Sequence, residues 1–216
     1  MKKIILLILV ILATFGLAIY LGKNKQNNRA ENQGNNLPQN IPESNDSEKF
    51  SSPIDRWSER ITKKPFGIYI SPKSSPIQPE RFSGYHTGSD FEIFSDEQDK
   101  DVEIKAICSG KLLEKRYVSG YGGTVVQQCE FENQDITVLY GHLKLSSIGI
   151  NINQQISAGD RIGILGKGFS SETDGERKHL HISIHKGTNI NLAGYVQKSG
   201  QLSNWIDITS YLSDEH

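Results

Sequence analysis

Apolar and polar positions divide the chain into three regimes. Residues 4–21, IILLILVILATFGLAIYL, carry no charged side chain. At about 1.5 Å of rise per residue, a helix over this run just spans a hydrocarbon layer of roughly 30 Å. The run exceeds the apolar core of a usual secretory signal. An uncleaved N-terminal transmembrane anchor over residues 1–22 is therefore expected, with signal cleavage and secretion as the alternative. Lys2 and Lys3 precede the run and Lys23, Lys25 and Arg29 follow it, so the positive-inside rule leaves its orientation open. Residues 23–50 are dominated by Asn and Gln and poor in aliphatics. Such a segment buries too little apolar surface to offset its ordering entropy, and a disordered linker is expected.

From about residue 65 the pattern changes to short alternating runs. FGIYI, DVEIKAI, KLLEKRYV, GTVVQQCEF, DITVLYGHL, DRIGILG and HLHISIHK recur about every ten residues with Gly between them. This spacing predicts an all-β domain, mainly antiparallel, with few short helices. Residues 52–63 (SPIDRWSERITK) read as a short helix, with Ser52 as cap and Pro53 in the first turn. NWIDITSYL near the end reads as another short element. The expected organisation is an anchor at 1–22, a linker at 23–50, a lead-in at 51–79 and a folded domain at 80–212.

Formal charge is -1, from 24 basic and 25 acidic residues. That balance gives no electrostatic reason to expect a nucleic-acid partner. A local cluster, Asp96, Glu97, Asp99, Lys100, Asp101 and Glu103, reads as a solvated loop, with a calcium or substrate loop as the lesser reading. The two cysteines, Cys108 and Cys129, sit in strand-like runs on either side of a Gly-rich turn. Neighbouring strands would bring their Cα atoms within disulfide range. A Cys108–Cys129 disulfide is expected, chiefly because the apolar N-terminus argues for export to an oxidising compartment. Two buried free thiols are the alternative.

Candidate chemistry lies in the histidines. Four of the six fall in three motifs, HTGSD (86–90), YGHL (140–143) and HLH (179–181). In an extended strand His86 and Asp90 would lie roughly 13 Å apart. Two ligands of one zinc need donor atoms about 3–3.5 Å apart, so the chain between them must bend, which Gly88 makes easy. In HLH the two imidazoles share one strand face and Leu180 points the other way. His185 shares the face of His181 but lies further along, and reads as a supporting or bland residue. Two His and one Asp suit zinc and leave a fourth position for water, whose pKa zinc lowers to about 7. No HExxH occurs to supply a helix-borne Glu base, so the spare histidines are the natural proton acceptors.

The ordered set HTGSDF (86–91), GYGGTVV (120–126), YGHL (140–143), SAGDRIGILGKG (157–168) and HLHISI (179–184) resembles the lysostaphin/LytM-type zinc metallopeptidases. The resemblance covers about residues 80 to 185. It implies a duplicated hybrid β motif with a groove, and endopeptidase cleavage of peptidoglycan peptides. It implies one Zn2+ per chain held by His86, Asp90 and His181, with His142 and His179 catalytic. Spacing alone leaves open which histidine of HLH binds metal; that assignment comes from the resemblance. With it comes an expected location outside the cytoplasm, tethered to the cell membrane. Two departures stand out. The segment after the Asp, FEIFSDEQDKDVEIKAI, is longer and more acidic than the family's short link, and Lys178 takes the place of a common Pro before HLH. The other readings are a catalytically silent cell-wall-binding or hydrolase-regulating module of the same fold, a lipoyl-type carrier domain, and core histidines packed without a metal.

Overall fold

The computed structural model describes residues 49–213. The expected anchor and all but the last residues of the expected linker lie outside them. Among the described residues no helix is long and apolar enough to cross a membrane. Helical structure there is confined to 3-10 turns, and the strands dominate.

In chain order the strands are β1 (Tyr69–Ile70), β2 (Gly84–His86), β3 (Gly88–Glu92), β4 (Glu103–Lys105), β5 (Gly110–Val118), β6 (Gly122–Phe131), β7 (Gln134–Gly141), β8 (Gln155–Ile156), β9 (Arg161–Ile164), β10 (His179–Lys186), β11 (Tyr195–Val196) and β12 (Trp205–Ile206). Each of the seven alternating runs contains one of them. The largest sheet runs β12-β10-β7-β6-β5-β8, and β3 also pairs with β10. Two small sheets, β1-β2-β11 and β4-β9, complete the set. The strand pairings are antiparallel.

The two-residue period of a strand explains how one sheet builds both core and site. On β10, Leu180, Ile182 and Ile184 are fully buried and join Ile136, Val138 and Tyr140 of β7 in the main core. Phe91, Ile104 and Ile162 enter the same core, the lead-in adds Ile54, and Phe50, the last residue of the expected disordered linker, is buried there too. His179, His181 and Ser183 take the opposite face of β10. A smaller apolar cluster, Tyr121, Val126 and Leu139, forms apart from the main core.

The lead-in differs from the helix predicted over 52–63. Only Trp57–Glu59 forms a 3-10 turn, after Arg56 in the left-handed region at φ 53°. The cause is the open edge of β3, which needs hydrogen-bond partners. Asp90 N donates to Lys64 O at 3.0 Å and Glu92 N to Arg60 O at 2.9 Å. A helix over 52–63 would keep the Arg60 carbonyl for itself and leave that edge of β3 without a partner at Glu92. The buried Arg60 locks the arrangement, donating to Glu92 O at 3.2 Å and in a fork to Glu97 at 2.7 and 2.9 Å. The C-terminal stretch read as one short element resolves into β12 and a 3-10 turn at Ile208–Ser210.

Cys108 and Cys129 are joined by a disulfide with Cα atoms 6.2 Å apart, closing a sequence separation of 21. A loop of that size restrains the unfolded chain by about 3 kcal/mol in the chain-entropy account. Replacing both cysteines by Ala should therefore lower stability by about 2–4 kcal/mol, read by urea unfolding under non-reducing conditions. A change within the noise of the wild type would assign the bond no stabilising part.

Candidate metal centre

His86 closes β2, Asp90 sits in the middle of β3, and His181 is registered directly opposite Asp90 on β10. The chain bends at Thr87, whose hydroxyl donates to Ala193 O at 2.6 Å. Gly88 serves by its missing side chain: a Cβ there would sit 2.2 Å from the Ile182 carbonyl and 2.8 Å from the His181 ring. It lets β3 and β10 close over the imidazole.

Three donor atoms converge. His181 Nδ1 lies 3.0 Å from Asp90 Oδ1 and 3.1 Å from His86 Nε2, and His86 Nε2 lies 3.5 Å from Asp90 Oδ1. Bonds of about 2.0–2.2 Å to a single zinc require donors spaced in that range. The donor set therefore fits the ion, and the neighbouring hydrogen bonds agree. His86 Nδ1 donates to Pro65 O at 3.3 Å, which leaves the Nε2 lone pair facing the cluster. With Nδ1 of His181 turned inward, its Nε2 is buried without a hydrogen-bond partner.

His142 and His179 stand beside this trio. Their ring centroids are 4.2 Å apart. His179 donates Nδ1–H to Arg177 O at 2.9 Å, and its Nε2 is 3.3 Å from Asp90 Oδ2. His142 adopts φ 64°, a left-handed conformation uncommon for a residue with a Cβ. Two backbone bonds hold it there: His142 N to Tyr121 O at 3.0 Å, and Gly166 N to His142 O at 2.8 Å. The preceding Gly141 is required because a Cβ would strike the Tyr121 ring at 2.8 Å. His142 Nδ1 is buried and has no hydrogen-bond partner.

All five side chains are buried, yet they line a cleft of about 320 Å³ with Tyr121, Arg177, Lys64 and Tyr195. Burial, with the Asp90 charge opposing it, pushes the His86 imidazole down to about 4. Burial and the neighbouring His179 push His142 well below its ordinary value. Burial alone would raise the Asp90 carboxyl, but His179, His86 and the hydrogen bonds around it outweigh that and hold it well below the usual carboxylate range. At neutral pH His86 is thus a neutral imidazole and Asp90 a carboxylate, the protonation states that metal ligation needs.

Several contributors escaped sequence reading. Tyr195 stacks on His86 at 5.2 Å between centroids, with Phe82 stacked behind it at 5.5 Å. Lys64 pairs with Glu80 at 2.6 Å, both buried, next to Tyr195. No local motif marks these residues. Arg177 reaches both Asp90 and Glu92, and its position two residues before His179 was the available clue. His185 stands apart from the site, its ring edge-on to Trp205 at 4.9 Å.

A family model described as peptidase family M23 matches residues 84–192. Among curated proteins, the chain is 30% identical over 141 residues to Endolysin 2638A of Staphylococcus phage 2638A. That match covers 57% of this chain and 27% of the endolysin. The chain thus spans about a quarter of the length of the curated relative it matches. Among solved structures, LytU is similar at 24% identity, covering 72% of this chain and 92% of its own, with a TM-score of 0.45. A zinc containing peptidase from Vibrio cholerae is similar at 18% identity, covering 68% and 41%, with a TM-score of 0.42.

The neutral, buried His86 fixes the sign of an acid response. Its folded value near 4 lies below the unfolded 6.5, so between these the unfolded chain binds more protons. Stability of the metal-free protein should be fully present above about 6.5 and fall as pH drops towards 4, by on the order of 3 kcal/mol from His86. Urea unfolding in chelator across that window measures it. A flat profile would mean that the imidazole is solvated.

Proposed function

The chain belongs to peptidase family M23, and from that premise we propose that it is a zinc-dependent endopeptidase cleaving cross-links or stem peptides of bacterial peptidoglycan. The carrying observation is the convergence of His86 Nε2, Asp90 Oδ1 and His181 Nδ1 at mutual separations of 3.0–3.5 Å beside two further imidazoles. In this reading His86, Asp90 and His181 hold one zinc, and His142 and His179 act on the substrate.

Zinc would supply a Lewis acid for the scissile carbonyl and a water acidic enough to attack near neutral pH. The chain's own residues do the rest. One of His142 and His179 accepts the proton of the attacking water and passes it to the leaving amine. The other hydrogen-bonds the carbonyl oxygen as it gains charge. His142, whose Nδ1 has no partner, is the ring free to carry an N–H to that oxygen. His179 suits the proton acceptor's part, because its Nδ1–H is given to Arg177 O and its Nε2 keeps a lone pair. Tyr121 packs against both His142 and His181, at centroid distances of 6.0 and 5.1 Å, and so touches one histidine of each group.

We further propose that the domain works outside the cytoplasm, tethered to the membrane by residues 4–21 through the polar stretch 23–50. The Cys108–Cys129 disulfide supports an oxidising compartment. The proposed catalytic unit is 80–212 with the lead-in 51–79, which packs into the same core.

Incubating the purified protein with cell-wall sacculi should release soluble fragments, and a chelator should stop the release until zinc is restored. Mass analysis of the fragments names the bond cut. His142→Ala should keep its zinc while losing turnover by roughly 10²–10⁴-fold, and His181→Ala should lose both. Equal metal loss in the two variants would overturn the division of roles. Bound zinc without any solubilisation would favour a binding module of the same fold.

A further inference from the structure

The Asp90 carboxylate is divided between two tasks. Oδ1 faces His181 and His86, at 3.0 and 3.5 Å. Oδ2 is held by Arg177 Nη2 at 2.9 Å, with His179 Nε2 at 3.3 Å. Arg177 is itself anchored: its Nε lies 3.0 Å from each carboxylate oxygen of Glu92, and Nη2 contacts Glu92 Oε1. Lys63 Nζ braces Glu92 at 3.3 Å, and the backbone of Arg60 holds the strand at that point.

Asp90 and Glu92 are two residues apart on β3 and so share one face. Both are buried. Two carboxylates there repel each other, and a guanidinium bridging them removes the repulsion and orients both at once. Arginine is suited to this by its planar fork of donors, which a lysine ammonium lacks. The chain brings the guanidinium in through the loop leading to β10, where Lys178 ties down the other side. Its Nζ donates to the carbonyls of Glu97, Gln98 and Lys100 at 2.9, 3.3 and 2.5 Å.

We propose that Arg177, anchored by Glu92, is the positioning residue of the metal centre, holding Asp90 Oδ2 so that Oδ1 alone is presented to the ion. The inference rests on the zinc reading given above. Partners that orient a ligating side chain typically contribute about 10- to 100-fold to metal affinity.

The test uses the full protein and its variants R177M, R177K and E92Q. Zinc affinity is measured by competition with a chromophoric chelator, and the visible spectrum of the cobalt(II)-loaded form reports the ligand field. R177M should bind zinc about 10- to 100-fold more weakly. Its cobalt bands should change in intensity, because a released Asp90 is free to offer its second oxygen. E92Q should shift the bands in the same direction by less, and R177K should restore affinity only in part. Should R177M fail to fold, E92Q and R177K carry the comparison, with folding checked by circular dichroism. Variants that match the wild type in both affinity and cobalt spectrum overturn the inference alone. A wild-type protein that takes up neither ion overturns the zinc reading and the inference with it.

Discussion

The register of β10 between β3 and β7 is the constraint from which the site follows. Along β10, His181 sits opposite Asp90 on one side and Gly141 on the other. The same register places Leu180, Ile182 and Ile184 in the core, each fully buried. Burying such aliphatics is worth about 1.5–3 kcal/mol apiece. Sliding the strand by one residue would turn all three into the cleft and both imidazoles into the core. Apolar packing therefore enforces the donor geometry to which it contributes no ligand. The glycines at 88 and 141 are the other half of this arrangement. They remove the two side chains that would hold β3 and Tyr121 away from the imidazoles.

Around this register runs a set of charges, mostly buried or half-buried with Lys63 exposed, that links the lead-in to the site. Arg60 reaches Glu97, Lys63 and Arg177 reach Glu92, and Arg177 reaches Asp90. Buried ion pairs add little net stability once desolvation is counted, but removing one partner strands a charge. Their effect here is on geometry: each pair fixes a loop against β3. The two departures from the family pattern, the long acidic segment and Lys178 before HLH, are complementary. Lys178 fills the carbonyl-lined turn of the acidic segment, and Glu97 of that segment receives Arg60. The acidic cluster is thus only partly the solvated loop its composition indicates. Asp96 and Lys100 pair at the surface, whereas Glu97 is drawn inward.

Legibility from sequence followed the range of the interaction. Period-two alternation is local, so all seven strand runs and the shared face of HLH could be read directly. The disulfide was legible because Cys129 lies in β6 and Cys108 stands just before the paired strand β5, where Gly110 is opposite Cys129. Long-range events left no local trace. The edge of β3 recruits Lys64 and Arg60 from a segment whose own pattern is helical. Tyr195, more than a hundred residues from His86 along the chain, stacks on it. The left-handed turn at His142 could not be foreseen from YGHL, because it depends on Tyr121 and Gly166 supplying its backbone bonds. Gly88 was read as a hinge and proved to be a clearance, a distinction that exists only once β10 is laid beside it.

The same long-range contacts explain how a carboxylate and four imidazoles can share a buried space. Each group would be costly there alone, since burial without a partner penalises a polar group by several kcal/mol. The fold lowers that cost by assigning one hydrogen-bonding edge of most of them to a fixed partner: Pro65 O for His86, Arg177 O for His179, and Arg177 Nη2 for Asp90. What remains turned inward is a set of lone pairs on His86, Asp90 and His181 with one negative charge. With His86 neutral and its Nδ1–H given to Pro65 O, the His86 Nε2 lone pair and Asp90 Oδ1 both face His181 Nδ1, which can donate a hydrogen to only one of them. A compact divalent cation satisfies all three together. The surrounding partners thereby define which atoms of His86, Asp90 and His181 are left facing one another.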